Sequence, residues 1–132
     1  KIINLPIAKH HSLTGATLGL KNFYGILGGR RNQLHQHINE SIADLANFIR
    51  PTLVIMDATR VLMKNGPQGG NLSDVMDGNM IITGTDQVAI DAYTAERFFN
   101  LNFQQLSYLD MAHNKGIGNK NYMELSPKEI NL

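Results

Sequence analysis

Three groups of polar side chains follow directly on predicted apolar strands. They are Lys9 with His10 and His11, then Asp57, then Thr85 with Asp86. Ammonium and imidazole groups can fix an anion, whereas a carboxylate can hold a cation or transfer a proton. These residue types in this pattern predict a site for a small anionic ligand, alone or together with a divalent metal.

Asp91 is a further candidate, because its position predicts a carboxylate that points inward. It stands three residues after Val88 and four before Ala95, on or beside the apolar stripe of a predicted helix. A carboxylate inside a protein needs a partner. Lys9, Lys21, a metal ion or a buried backbone amide would each serve.

Structural roles stay open for the same residues. Neighbouring side chains of an extended strand point to opposite sides, so at most one of His10 and His11 is expected to face a site. Asp57 can equally cap the turn that follows it. Asp86 lies in the first turn of a predicted helix, where a favourable interaction with the helix dipole is a sufficient explanation.

The segment NGPQGG at 65–70 offers another way to hold an anion. The backbone N–H groups of Gly66, Gly69 and Gly70 could point at a phosphate or carboxylate, with a turn that binds nothing as the alternative. The segment lacks the Lys-Ser or Lys-Thr ending of a Walker loop and is not a dinucleotide fingerprint. Arg30 and Arg31 are interpreted as solvated turn residues, with anion contact as the alternative.

The elements that must position these residues alternate between strands and helices. Strands are predicted over 2–8, 52–58 and 80–84, and helices over 13–27, 34–49, 86–99 and 104–113. Pro6 indicates an edge strand or a bulge, Pro51 ends the second helix, and Thr85 is the predicted N-cap of the third. The unbroken apolar run at 52–58 predicts a strand covered on both faces. The turn-rich stretch 59–79 predicts a long loop, a kind that often carries function.

This alternation predicts an α/β fold, with a layered, largely parallel or mixed sheet and flanking helices. In open sheets of this type, ligands bind outside the carboxyl ends of the strands. The polar groups that follow the three predicted strands are therefore expected to converge.

Composition narrows the class of protein. The chain has 132 residues, so we expect a single domain over 1–132. Twelve Lys and Arg against eleven Asp and Glu leave a net charge of +1, which argues against a general nucleic-acid binder. No apolar run approaches the roughly 20 residues that a membrane span needs. The absence of cysteine excludes a Cys-ligated zinc, a thiol nucleophile and any iron–sulfur cluster bound by this chain.

The amino terminus predicts a longer parent chain. The sequence begins at Lys1 without a methionine, and its first residues already have the pattern of a strand. We therefore expect a segment of something longer, which leaves the choice between a cytoplasmic and an exported protein open.

Four blocks of the sequence occur in the order of a known family. They are LPIAKHHSLTGATLGLKNFYGIL, LHQHINESIADLANFIRPTLVIMDA, NGPQGG and GTDQVAIDAYTA. In this order they resemble the bacterial and archaeal family called domain of unknown function 362. The resemblance covers residues 1 to about 100 and leaves 101–132 as a helical and irregular tail. The positions that match the family pattern are Lys9, His11, Lys21, Asn22, His35, Asp57, Gly66, Pro67, Gly70, Gly84, Thr85, Asp86 and Asp91.

Two departures from that family qualify what the resemblance implies. Members usually have proline after the Gly-Thr-Asp, whereas this chain has Gln87, which should change the rigidity of the helix start more than the chemistry. Members are also often linked to ferredoxin-like segments with iron–sulfur clusters. Since this chain has no cysteine, any such cluster would belong to another segment or protein. The resemblance supplies no established reaction.

Three hypotheses follow, and whether the domain is an enzyme is left open. In the first, Lys9 and Lys21 neutralise a small anion, while Asp57, Asp86 and Asp91 hold a metal or act in acid–base catalysis. Lys9 and these three aspartates are the candidate catalytic residues, and the candidate metal ligands are Asp57, Asp86 and His11. The candidate ligand-binding residues are His11, Lys21, Asn22, His35, Gly66, Gly69, Gly70 and Thr85.

The second hypothesis is a redox accessory domain that docks a ferredoxin-type iron–sulfur protein. The third is a structural or interaction module, in which the strand-end side chains lie apart or are used in capping. Convergence of Lys9, Lys21, Asp57 and Asp86 around one concave pocket would separate the first hypothesis from the third.

Overall fold

The structure is a computed structural model that describes residues 1–131. Its strands are β1 (Ile3–Asn4), β2 (Ile7–His11), β3 (Gly15–Thr17), β4 (Leu53–Leu62) and β5 (Val75–Gly84). Its helices are α1 (Gly19–Asn22), α2 (Arg31–Leu34), α3 (Ile38–Phe48), α4 (Gln87–Phe99) and α5 (Ser107–Asn114). Short 3-10 helices occupy Phe23–Ile26, His35–His37, Leu72–Asp74 and Tyr122–Leu125.

The sheet is organised around β4. Strand β5 pairs antiparallel along β4 from Val54 to Leu62, while β1 and β2 both pair with β4 in parallel, at Leu53 and at Asp57. Strand β3 adds to β2 in the antiparallel sense. The predicted α/β fold with a mixed sheet and flanking helices is confirmed.

The first predicted strand is divided in two, and it also runs further than predicted. The ladder is interrupted between β1 and β2 at Pro6, which has no N–H to donate and whose carbonyl accepts from Asp57 N at 2.8 Å. Strand β2 continues to His11, because residues 15–17 pair with it. The prediction of a helix from residue 13 was therefore wrong for residues 15–17, which form β3. Lys9, His10 and His11 lie inside a strand rather than in the loop after it.

The prediction that β4 is covered on both faces was wrong. Val54, Met56 and Ala58 are fully buried against the helices, whereas the alternate residues Ile55 and Asp57 face the other side and are partly exposed. On that open face their neighbours Ile3, Ile7 and Ile81 are all more than half exposed. An unbroken apolar run therefore belongs here to a strand with only one covered face.

Pairing also lengthens the strands beyond the predicted boundaries. Strand β4 continues to Leu62 and β5 begins at Val75 rather than at 80, so the predicted loop 59–79 shrinks to 63–74. Segment 75–79 contains Asp, Gly and Asn, which have low β-propensity, and its pairing with β4 overrides that preference. Gly78 is needed there, because a Cβ atom would overlap the carbonyl oxygen of Ala58.

The helices follow the predicted stripes with two changes at their starts. Regular α-helix begins at Ile38 rather than near 34, after α2 and a 3-10 turn, and it ends at Phe48 ahead of Pro51. The N-cap of α4 is Asp86 rather than Thr85, since Asp86 Oδ1 accepts from Val88 N and Ala89 N, both at 2.9 Å. Among residues 1–131, no helix has the length and apolar character needed to cross a bilayer.

Asp91 joins α4 to α1 in the core. It is fully buried, as predicted, and its carboxylate accepts from Gly19 N at 2.7 Å and from Leu20 N at 2.9 Å. Burial raises the pKa of Asp91 to about 7, against the opposing effect of these two hydrogen bonds. Its partners are thus backbone amides, one of the alternatives that the sequence left open.

We predict that Asp91→Ala lowers the free energy of unfolding by about 2–4 kcal/mol, because it leaves two buried N–H groups without acceptors. Urea denaturation of the purified variant measures this loss. Asp44→Ala is the matched control, since Asp44 forms an exposed ion pair with Lys115 at 2.9 Å, and it should change stability by less than about 1 kcal/mol. Equal losses in the two variants would contradict the role of Asp91.

Candidate anion-binding site

Lys21 is a buried cation without an acidic partner. Only 6% of the residue is exposed, and its Nζ donates one hydrogen bond, to Thr14 Oγ1 at 2.9 Å. Within the described residues 1–131, no carboxylate lies within 4 Å of this ammonium group. Burial is the main reason that the pKa of Lys21 falls to about 7, and repulsion from Lys9 and Arg31 lowers it further.

The local sequence explains why Lys21 is held inside. Leu18 and Leu20 are fully buried core residues on either side of Gly19, which allows the close approach to Asp91. Helix α1 starts there, so Lys21 is carried inward with it. Thr14 then orients the ammonium group, because its Oγ1 donates to Ala16 O at 3.0 Å while it accepts from Lys21.

His11 lies beside Lys21 and is 8% exposed. Its Nδ1 accepts hydrogen bonds from Leu13 N at 3.2 Å and Thr14 N at 3.3 Å, which assigns the ring proton to Nε2. Burial, followed by repulsion from Lys21, lowers the pKa of His11 to about 4. At neutral pH His11 is therefore an uncharged imidazole that offers Nε2–H as a donor.

Two further basic side chains are brought to the same region by Tyr24. The guanidinium carbon of Arg31 lies 5.1 Å from the centre of the Tyr24 ring, and His35 packs edge-on against that ring at 5.3 Å. Tyr24 itself is buried three residues after Lys21. Charge repulsion from Arg31 reaches Lys21, and repulsion from His35 reaches His11. We call Lys9, His11, Lys21, Arg31 and His35 the basic cluster.

The loop 65–70 docks on the end of β2 through its backbone. Gly66 N donates to His10 Nδ1 at 3.1 Å, and Gly66 O accepts from Ser12 N at 3.2 Å. Gly69 N donates to Asn65 O at 2.9 Å. The N–H groups of Gly66 and Gly69 are thus used within the protein, whereas Gly70 is exposed and has a φ of 134°.

The three candidate carboxylates do not join the basic cluster. Asp57 lies in the middle of β4 rather than at its end, and its Oδ1 accepts from Thr59 Oγ1 at 2.7 Å and Thr59 N at 2.9 Å, which lowers its pKa. Asp86 caps α4 and also accepts from Asn119 N at 2.8 Å, while Asp91 caps α1. None of the three forms an ion pair with a lysine or histidine of residues 1–131.

The remaining predicted residues have structural contacts or solvent around them. Asn22 donates to Asn4 Oδ1 at 2.7 Å, and Asn4 donates to Gly19 O at 2.9 Å, so Asn22 helps to hold α1 against β1. Thr85 is exposed ahead of the Asp86 cap. Over the described part of the chain, no three His, Asp or Glu side chains are grouped so that they could hold a metal ion.

The structure therefore brings together Lys9, His11, Lys21 and His35 from the predicted set. It adds Arg31, which is exposed in agreement with its interpretation as a solvated residue, and Thr14, for which the sequence carries no signal. Thr14 contributes through a turn between β2 and β3, and β3 itself was not predicted. Arg31 contributes because its guanidinium lies over the Tyr24 ring, whose hydroxyl donates to Arg31 O at 3.3 Å.

The fold is an α/β domain with a mixed sheet, and the basic cluster lies beside its second strand. The chain belongs to the family described as "Domain of unknown function (DUF362)", whose family model matches residues 1–96. The resemblance found in the sequence is thereby confirmed.

One curated relative is the "Thylakoid-associated protein sll1697" of Synechocystis sp. It is 28% identical to this chain over 98 residues, which cover 68% of this chain and 30% of the relative. The chain thus spans about a third of the length of that relative. No solved structure matches the chain.

We predict that Gly66→Ala destabilises the protein by about 1–3 kcal/mol, because a Cβ atom would overlap the carbonyl oxygen of His10. Thermal unfolding measures the loss, and hydrogen exchange at Ser12 N reports whether the loop has detached. Gly28→Ala is the control, since a Cβ atom at Gly28 meets nothing within 4 Å. If the two variants unfolded at the same temperature, the proposed docking of this loop would be wrong.

We predict a second effect, on the pH dependence of stability. The pKa of Lys21 is about 7 in the folded state and 10.5 ordinarily, so between these values the unfolded chain binds more protons. Stability should therefore rise with pH over this window, and Lys21→Met should remove that component. Urea denaturation at pH 7, 8 and 9 measures it, with the exposed Lys128→Met as control. If the stability of wild type and of Lys21→Met changed with pH in parallel, Lys21 would not contribute to the pH dependence.

Proposed function

We propose that this domain binds a small anionic ligand at the basic cluster. The observation that carries the proposal is the burial of Lys21 without an acidic partner. An isolated ammonium group in the protein interior is unfavourable, and an anion would supply the missing counter-charge. Lys120 shows the usual arrangement, because Asp110 forms an ion pair with it at the surface. Among residues 1–131, no Asp or Glu does the same for Lys21.

The hydrogen-bond donors of the cluster support an anion over a cation. Lys21 has two N–H groups beyond the one that it gives to Thr14, and His11 offers Nε2–H. Lys9 and Arg31 add positive potential from β2 and α2. In a partly buried place these charges act more strongly than they would in water.

The basic residues and the carboxylates fit different hypotheses. The proximity of Lys9, His11 and Lys21 supports a ligand site. Asp57 and Asp86 are instead hydrogen-bonded in a turn and a helix cap, which supports a structural role. In this proposal the aspartates are not catalytic. Any divalent metal would arrive with the ligand, because the described residues do not fit a metal site of their own.

Docking of a ferredoxin-type protein remains a prediction from the family resemblance. No contact or charge in residues 1–131 specifically favours it. The curated relative is thylakoid-associated by its name, and this chain covers only 30% of it. The activity of that longer protein is therefore not assigned to this chain.

We predict that small anions raise the melting temperature of wild type, since a ligand that binds only the folded state stabilises it. Titration calorimetry should show binding that weakens at least about tenfold in Lys21→Met. Lys128→Met, which changes an exposed lysine in the same way, should keep the wild-type affinity. Loss in both variants, or in neither, would count against the site.

Because a bound anion favours charged Lys21, binding near neutral pH should also take up a proton. Affinity is then expected to fall as pH rises above about 7. Calorimetry in two buffers of different ionisation enthalpy measures the uptake. An unchanged binding heat in both buffers would mean that Lys21 does not respond to the ligand.

A further inference from the structure

We infer that the ligand of the basic cluster is a phosphate monoester whose phosphate contacts Lys21 and Arg31 and whose organic group is small and polar. This inference rests on the proposed function and names the class of ligand for the same site.

The charge of the cluster favours a dianion. Lys9 and Arg31 each repel Lys21, and within residues 1–131 none of the three has a carboxylate within 4 Å. A carboxylate ligand would bring one negative charge to three cationic side chains. A phosphate monoester brings close to two at neutral pH, so it compensates more of the repulsion that Lys21 experiences.

The donors are arranged for a group with several oxygens. Lys21 supplies a point charge with two remaining N–H groups, the kind of lysine contact that phosphate sites commonly use. The described contact of the Arg31 guanidinium is with the face of the Tyr24 ring, which leaves its N–H edges able to form the forked contact that suits phosphate. His11 Nε2–H is a third, uncharged donor. A tetrahedral oxyanion can accept from all three.

Arg31 also links the cluster to a concave surface. A depression of about 260 Å³ is lined by Gly29, Arg30, Arg31, Asn32 and Gln33. Since Arg31 belongs both to this depression and to the cluster, a phosphate held by Lys21 and Arg31 would direct its ester group toward residues 29–33. The Asn32 and Gln33 side chains that line this depression favour a short hydroxylated group over an acyl chain.

The test compares glycerol phosphate, inorganic phosphate and glycerate by titration calorimetry of the purified full chain, at pH 7.5 and constant ionic strength. We expect glycerol phosphate to bind at least about tenfold more tightly than glycerate, which presents a carboxylate on a similar group. Arg31→Gln should weaken glycerol phosphate about tenfold. Arg50→Gln is the control, because Arg50 instead contacts Asn47 on α3 and should leave binding unchanged.

A second measurement tests the position of the organic group. In ¹⁵N–¹H spectra, glycerol phosphate should shift the backbone amides of Asn32 and Gln33, and inorganic phosphate should shift them less. Equal affinity and equal shifts for the two would show that free phosphate is the ligand and would overturn the assignment of an ester.

The outcomes separate this inference from the function on which it rests. If glycerate bound as tightly as glycerol phosphate and Lys21→Met abolished both, the phosphate assignment would be wrong and the anion site would stand. If none of the three compounds, nor sulfate or acetate, bound wild type, both proposals would be overturned. Binding that survives in Arg31→Gln and Lys21→Met alike would place the anion elsewhere.

Discussion

The position of the basic cluster depends on one buried carboxylate that does not belong to it. Asp91 lies in α4 and accepts from the first two N–H groups of α1, Gly19 N and Leu20 N. Helix α1 has four residues, too few to be stable alone, so its orientation is decided by what anchors it. Lys21 and Tyr24 come within the next turn after Gly19 and Leu20, the two residues that Asp91 holds. The side chains that gather on Tyr24 therefore depend on Asp91 as well.

Two buried ionisable groups, one in α1 and one in contact with it, differ in how their charges are compensated. Asp91 is satisfied by two backbone amides, and this is enough for a structural role. Lys21 has a single hydroxyl partner, and the charged residues that affect it are two cations, Lys9 and Arg31. A site that leaves its charge unmatched inside the protein loses stability, and a bound counter-charge can recover it. This difference is the reason for proposing a ligand at Lys21 and a structural role for Asp91.

Membership of the family does not by itself assign roles to its shared positions. In this chain the matching residues divide into two groups. Asn22, Gly66 and Asp86 are explained by contacts that hold elements together. Lys9 and Lys21 are not explained in that way, and they are the positions from which a function can be argued. The division depends on whether the polar groups of a residue find hydrogen-bond partners within the protein or have donors that remain unused.

Much of this protein was determined by local sequence. The apolar stripes located α3 and α4, the apolar runs located the cores of β4 and β5, and the placement of Asp91 beside a stripe predicted that it is buried. These features depend on side-chain periodicity over a few residues, which the sequence displays directly. Lys9, His11 and Lys21 were likewise candidate site residues from the sequence.

Tertiary structure decided the remainder, since it depends on contacts between distant segments. Pairing with β4 extended β5 into a stretch of poor strand formers and placed Asp57 within a strand rather than at its end. Arg31 is exposed, as its interpretation as a solvated residue predicts, but its guanidinium lies over the Tyr24 ring, which brings it near Lys21. Above all, the lack of a carboxylate near Lys21 is a property of what surrounds it in space. Residue types alone could nominate this lysine, but only the fold determines which charges can reach a buried group.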